Sequence, residues 1–272
     1  MQGETRVIEG AFGRAAILWL GNDLVPHAHK EPHIIIPLSG TPRQTFFVDS
    51  ELYALDDDTG YFINPLEVHS FHAPERDAQP SFLLYYIDPA WLARRHDLSV
   101  VRPFHRRKIR LDPELRARAH SFVDAILTGY ALEDMLVVEL ELYLNRLLDE
   151  ALAQQDESDE TLPLPRSDFR IRKAMQFMQR NLDTRCSLDS VARHAGLSRP
   201  HFFALFVQQT GMTPRIYWNV LRIEKALNEM KQDDVQLGAL AYDLGFSSQG
   251  NFSRFFRERI GVSPNSYRRA VH

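Results

Sequence analysis

The sequence predicts a chain of mixed α+β class in two main parts, an N-terminal β-barrel joined by a helical segment to an all-helical C-terminal part. Three observations predict it. Up to about residue 90, short β-branched and aromatic runs alternate with clusters of Gly, Pro and Asp. From about residue 112 the apolar residues recur every three or four positions instead. The last hundred residues contain an internal repeat. At 272 residues the chain is long for one domain and short for three.

Arg14–Leu20, His33–Leu38, Gln44–Val48 and Phe82–Ile87 read as strands, separated by turn signals at Gly21–Asp23, Ser39–Pro42, Asp56–Gly60 and Asn64–Pro65. A helix is predicted to start after Leu111, with Asp112 as its N-cap and Pro113 in its first turn. Glu133 to Leu152 forms a second helix, whose stripe is Leu136, Val137, Leu140, Leu144, Leu147, Leu148 and Leu152. That stripe either buries against the β part or pairs with the same helix of a second copy. Gln154 to Ser167 is acidic, proline-bearing and aperiodic, as a linker is. The domains expected are thus 1–108, a β-barrel; 109–165, a helical pairing segment and linker; and 166–272, the helical part.

Charge divides along the same line. Residues 166–272 carry 17 Lys and Arg against 9 Asp and Glu, and residues 1–165 carry 15 against 27. A basic module on an acidic chain fits a polyanion partner. No apolar run approaches the roughly 20 residues of a membrane span, and the first residues lack the layout of a secretory signal. The single cysteine, Cys186, excludes an internal disulfide or a multi-cysteine zinc cluster. A cytoplasmic location is expected.

The repeat is the most specific signal. Leu188, Ala192 and Gly196 recur 49 residues later as Leu237, Ala241 and Gly245. Phe202, Phe206, Gly211 and Pro214 recur 50 residues later as Phe252, Phe256, Gly261 and Pro264. Each copy has the parts of a helix-turn-helix. A small Ala lets two helices cross, Gly196 or Gly245 ends the first helix in a left-handed conformation, and Ser198 or Ser248 caps the second. The phenylalanines anchor that second helix and leave its opposite face free.

Residues of about 168–270 resemble the DNA-binding domain of the AraC/XylS family of transcription regulators. The block from Leu240 to Arg268 is close to that family's signature, and Pro214–Leu227 is similar to the helix that joins its two helix-turn-helix units. The resemblance implies two recognition helices in successive major grooves of promoter DNA. In the second, Gln249, Asn251 and Arg254 face outward; Gln and Asn suit adenine, and Arg suits guanine or a phosphate. In the first, Arg199, Pro200, Phe203 and Ala204 face outward. Phe203 and Ala204 depart from the polar residues usual there and offer only apolar contact to a thymine methyl. Hydrogen-bonded readout is therefore expected chiefly from the second helix.

Eight of the eleven histidines precede residue 166. The run Gly21, His27-Ala-His29, His33, Gly40 resembles the first motif of cupins, with His33 in place of the usual glutamate, and Pro65–His69 resembles a shortened second motif. A cupin barrel is the usual sensor of the AraC/XylS family. By that resemblance His27, His29, His33 and His69 ring a small-molecule pocket. The two histidines of His27-Ala-His29, if on a strand, point the same way. Imidazoles also suit a divalent metal such as Zn, Ni or Fe, although no cofactor is certain. Trp19, Phe47, Tyr61, Phe71 and Tyr86 are read mainly as barrel core, not as ligand contacts.

Together these readings describe a non-enzymatic, effector-controlled regulator, an activator by family resemblance. Its partners are promoter DNA, a small molecule, a second copy of the chain and RNA polymerase, without a membrane. Two alternatives use the same residues. One is a metal-dependent, dioxygenase-like cupin enzyme with a DNA-binding tail; the other is a constitutive DNA-binding protein with a structural barrel.

Overall fold

The computed structural model describes residues 5–39, 44–49, 51–73, 80–96, 103–104, 106–128, 133–153, 168–182, 186–232 and 234–271. Ten strands form two antiparallel sheets. β1 (Arg6–Gly10), β2 (Gly13–Trp19), β9 (Ser81–Ile87), β4 (His33–Ser39), β7 (Thr59–Ile63) and β10 (Lys108–Arg110) lie side by side in the larger. β3 (Leu24–His27), β8 (His69–His72), β5 (Thr45–Val48) and β6 (Glu51–Ala54) make the smaller.

The larger sheet is buried on both faces, which explains its continuous apolar runs. Along β9, Phe82, Leu84 and Tyr86 point into a cavity between the sheets, while Leu83, Tyr85 and Ile87 meet the helices outside. β4 alternates likewise, His33 and Ile35 inward against Ile34, Ile36 and Leu38 outward. β1, β3, β6, β7, β8 and β10, three to five residues each, escaped the sequence reading, and β7 begins within the turn predicted at Asp56–Gly60.

The outer face is covered by α1 (Pro89–His96), α2 (Pro113–Thr128) and α3 (Glu133–Ala153). Asp112 caps α2 as expected, its Oδ1 accepting from Leu115 N at 2.7 Å. On α3, Leu136, Leu140, Tyr143, Leu144, Leu147 and Leu148 are buried in this cluster. The Tyr143 hydroxyl donates to Leu115 O at 3.0 Å, and that of Tyr85 to Leu140 O at 3.2 Å. The leucine stripe is therefore used within the chain and is not available as a seam for a second copy. A different face of α3 stays exposed, at Met135, Val138 and Leu142. The linker read at 154–167 lies outside the described residues.

The C-terminal part comprises α4 (Phe169–Arg180), α5 (Leu188–His194), α6 (Arg199–Thr210), α7 (Pro214–Glu229), α8 (Leu237–Asp243), α9 (Gln249–Ile260) and α10 (Pro264–Val271). The pairs α5/α6 and α8/α9 are the two helix-turn-helix units, joined by α7. Gly196 and Gly245 adopt φ of 71° and 80°, the left-handed turn the repeat predicts. Phe202, Phe206, Phe252 and Phe256 are fully buried. One cap differs from expectation. Ser248 Oγ accepts from Asn251 N at 3.2 Å, but the Ser198 side chain makes no cap hydrogen bond. Pro200 removes one of the two N–H groups that such a cap can accept from.

These helices are not a separate globule. α7 and α9 pack against β3, and α10 against β1. Ile223, Leu227 and Ile260 share one apolar core with Leu18, Leu20 and Phe71 of the barrel. Two ion pairs flank it, Lys231 with Glu9 at 2.6 Å and Lys30 with Glu224. The repeat is asymmetric here. Gly211 and Gly261 both end their helices with positive φ, of 73° and 86°. A Cβ on Gly211 would meet nothing within 4 Å, but one on Gly261 would stand 2.5 Å from Leu20 Cδ2.

Gly261→Ala is therefore expected to lower the thermal midpoint more than Gly211→Ala. Both suffer backbone strain of about 1 kcal/mol, and only Gly261→Ala also overlaps the barrel. Equal losses in parallel melts of the full chain would refute a tight seat for α9.

Candidate functional site

The cavity between the sheets holds four buried imidazoles, those of His27, His29, His33 and His69. His27 ends β3 and His33 and His69 begin β4 and β8, but His29 lies in the β3–β4 turn rather than on a strand. The pairing of His27 with His69 across β3 and β8 brings their rings to 4.3 Å. One nitrogen from each of His27, His29 and His69 falls within 4.8 Å of the others. His33 stacks on Tyr86 at 5.4 Å and lies outside that set, 4.7 Å from the His69 ring.

Hydrogen bonds fix two tautomers. Nδ1 of His27 meets Val25 O at 2.7 Å, and Nδ1 of His69 meets Glu67 O at 2.9 Å. A carbonyl only accepts, so each Nδ1 carries the proton and each Nε2 keeps a lone pair in the neutral ring. Burial pushes all four imidazoles below the usual histidine range, His69 to about 4. For His27, His29 and His33 the neighbouring rings push further in the same direction. At neutral pH the cluster is uncharged and able to donate lone pairs.

The turn before His69 is rigidly held. Asn64 donates to Glu67 Oε1 at 3.1 Å and to Phe104 O at 2.9 Å, and Arg107 Nη1 donates to Glu67 Oε2 at 2.6 Å. Burial alone would raise the Glu67 carboxyl, but the Asn64 and Arg107 hydrogen bonds hold it below its ordinary range. Behind Tyr86, Arg14 lies 4.3 Å over the ring and pairs with Glu31 at 3.3 Å.

Aliphatic and aromatic side chains complete the wall, Phe71 and Tyr86 among them. Trp19 instead packs toward the outer cluster, Tyr61 sits in the core, and Phe47 is 40% exposed. Arg259 and Ile260, at the end of α9, close the cavity. Sequence reading missed both. They belong to the repeat, and nothing local marks a residue that reaches another domain. The cavity is small, about 50 Å³. Pockets for drug-sized ligands run from roughly 300 Å³ upward, so this one suits an ion with a water or two.

At its other end α9 presents the residues proposed to read bases. Gln249 and Arg254 are exposed and Asn251 is half-buried. Asn251 Nδ2 donates to Ser247 Oγ at 2.7 Å and its Oδ1 accepts from Arg254 Nη2 at 2.9 Å. Arg254 is thus pre-oriented by its neighbour. On α6, Arg199, Pro200 and Ala204 are exposed and Phe203 is half-buried. Arg199 Nη1 donates to both Asp189 oxygens at 3.0 Å and its guanidinium lies 5.6 Å from the centre of the Phe203 ring. Arg199 must give up part of that pairing to contact DNA.

Two family profiles match the chain. The AraC-like ligand binding domain covers residues 21–155, and a helix-turn-helix domain covers 191–270. The probable transcriptional regulator LumQ of Photobacterium leiognathi is 26% identical over 245 residues, 89% of this chain and 90% of LumQ. The transcriptional activator AarP of Providencia stuartii is 32% identical over 98 residues, 36% of this chain and 73% of AarP. Among solved structures, an apo ToxT variant from Vibrio cholerae matches with a TM-score of 0.57 at 13% identity, covering 98% of this chain and 100% of that one. ToxT with a bound unsaturated fatty acid matches at 0.53 and 14%, covering 97% of this chain and 93% of that one. These structures share the two-part fold.

Glu224 provides a pH test of the contact between the halves. Burial pushes its carboxyl up to about 7, against the pull of the Lys30 ammonium. A raised carboxyl favours the docked form while protonated, so that contribution, at most about 3 kcal/mol, is lost as pH rises from near 4.5 through 7. Glu224→Gln removes the titration. The difference in thermal midpoint between variant and wild type should grow in the variant's favour over that window and then level off. A difference independent of pH would refute the assignment.

Proposed function

The chain belongs to the AraC family of transcription regulators, and from that premise we propose that α6 and α9 read promoter DNA under the control of whatever fills the histidine cavity. One observation carries the reading. Arg259 and Ile260 wall the cavity from the same helix that presents Gln249, Asn251 and Arg254. An occupant of the cavity therefore touches the reading helix directly, and it shifts the chain between docked and released forms by its different affinity for each.

Two kinds of occupant follow from the size of the closed cavity. A divalent ion such as Zn, Ni or Fe fits the docked form, with His27, His29 and His69 as ligands and His33 beside them. The donor set suits it: neutral imidazoles, two of which donate Nδ1–H to backbone carbonyls that orient the rings and leave Nε2 free to ligate. Metal bonds of ~2.0–2.1 Å need the three nitrogens to close to roughly 3.4 Å apart. A larger apolar effector, such as the unsaturated fatty acid that ToxT binds, would enter only by displacing Ile260 and Arg259. Such an effector acts by undocking.

Gln249, Asn251 and Arg254 supply the hydrogen-bonded base contacts, while Arg199, Pro200, Phe203 and Ala204 position the first unit and touch thymine methyls. The likeness to AarP, a transcriptional activator, supports activation here, with RNA polymerase as the partner such a role requires. Homodimers form through the exposed Met135, Val138 and Leu142 face of α3. No helix among the described residues is long and apolar enough to cross a membrane, in keeping with action in the cytoplasm. We read the chain as non-catalytic. Its relatives are regulators.

Arg254→Ala should weaken binding to a duplex selected by the full-length protein by about 1–3 kcal/mol and relax preference at one base position. An unchanged affinity and sequence preference would show that α9 reads DNA through another face. Elemental analysis of the purified chain should find about one divalent ion per protomer, lost when His29 and His69 are both replaced by Ala. Metal-free wild type that takes up no added zinc would remove the ion from the reading and leave the organic effector.

A further inference from the structure

A second cavity lies outside the sensor. Between the two helix-turn-helix units an open cleft of about 360 Å³ is lined by α7, by the start of α5 and by α9. Arg215 and Arg222 on α7 and Arg259 on α9 all line it, and no carboxylate does. Among the described residues, neither Arg215 nor Arg222 pairs with an acidic group, and Arg259 has only its neighbour Glu258 at 3.6 Å.

The cations are held in place by rings and a carbonyl. The Arg222 guanidinium stands 5.7 Å from the centre of the Trp218 ring and 5.3 Å from that of Phe246. That of Arg259 lies 4.1 Å over Phe255, and its Nη1 donates to Phe255 O at 2.9 Å. Such contacts fix a guanidinium without neutralising it. Three donors here are buried with no acceptor: Nε of Arg222, Nε of Arg259 and Nε1 of Trp218. A buried donor without an acceptor is costly, and so are like charges gathered without a counter-charge. Burial, and then the neighbouring arginines, weaken the hold of Arg222 on its proton; burial and Arg215 do the same to Arg259.

We propose that this cleft is a phosphate-binding site, with the guanidiniums of Arg215, Arg222 and Arg259 as its charged donors. The planar fork of arginine matches tetrahedral oxyanions bidentately, and an aromatic rim keeps the forks oriented before the ligand arrives. The phosphate comes either from the backbone of a duplex held by both reading units or from a free phosphorylated small molecule. The site stands on its own donors and requires nothing in the histidine cavity. It does share a side chain with that cavity, because Arg259 lines both. Phosphate binding and cavity occupancy are thereby coupled through one guanidinium.

The test uses the full-length protein with Arg222→Gln and Arg215→Gln; Arg215 is exposed, so the second variant keeps its fold if the first does not. Duplex affinity is measured from 50 to 200 mM salt, and inorganic phosphate and pyrophosphate are titrated calorimetrically at low salt. For a backbone phosphate, each variant lowers the salt slope by about one, so that it loses about three- to four-fold less affinity than wild type across that range. For a free phosphate compound, the wild type binds phosphate or pyrophosphate, the variants do not, and the slopes agree. Equal slopes together with no phosphate or pyrophosphate binding by the wild type overturn the proposal.

Discussion

A barrel of two sheets has an open end, and closing that end is the constraint on which the arrangement depends. Strands leave apolar side chains at the rim, and here Leu20, Leu24 and Phe71 are covered by helices from the other half of the chain. Burial of apolar surface against Ile223, Leu227 and Ile260 drives the contact, at roughly 25 cal/mol for each square ångström removed from water. Everything specific about the molecule then follows from which helix serves as the cover. It is α9, whose other end faces outward as the second reading helix.

That choice sets the electrostatics of the interior. Four histidines lie in a medium that disfavours charge, and the Arg259 guanidinium at the cavity wall pushes His27 the same way, so they stay neutral. The Glu67 carboxylate carries a charge nearby only because Asn64 and Arg107 supply its hydrogen bonds. Neutral, lone-pair-bearing rings under a removable cover are what carry the two occupants proposed above.

The sequence revealed the helical half most clearly. Gly196 and Gly245, the paired phenylalanines and the 49- and 50-residue offsets are strong local signals, because a tight turn and a helix crossing each demand particular residues. The four histidines were also legible, as spacing on and beside strands. The contact between halves was not. Arg259 and Ile260 look like any residues at a helix end, and Glu224 looks like a solvated charge until Lys30 and the barrel bury it. The leucines of α3 had two readings because periodicity identifies an apolar face without naming its partner. Tertiary context decided for the chain's own barrel.

The unequal glycines carry a consequence for which substitutions the duplicated units accept. Gly211 ends the first reading helix in open space, so a side chain added there meets nothing of the barrel. Gly261 ends the second against Leu20, so a substitution there must suit the barrel rim as well. The two copies of the motif thus differ in how much side chain they tolerate at the same position.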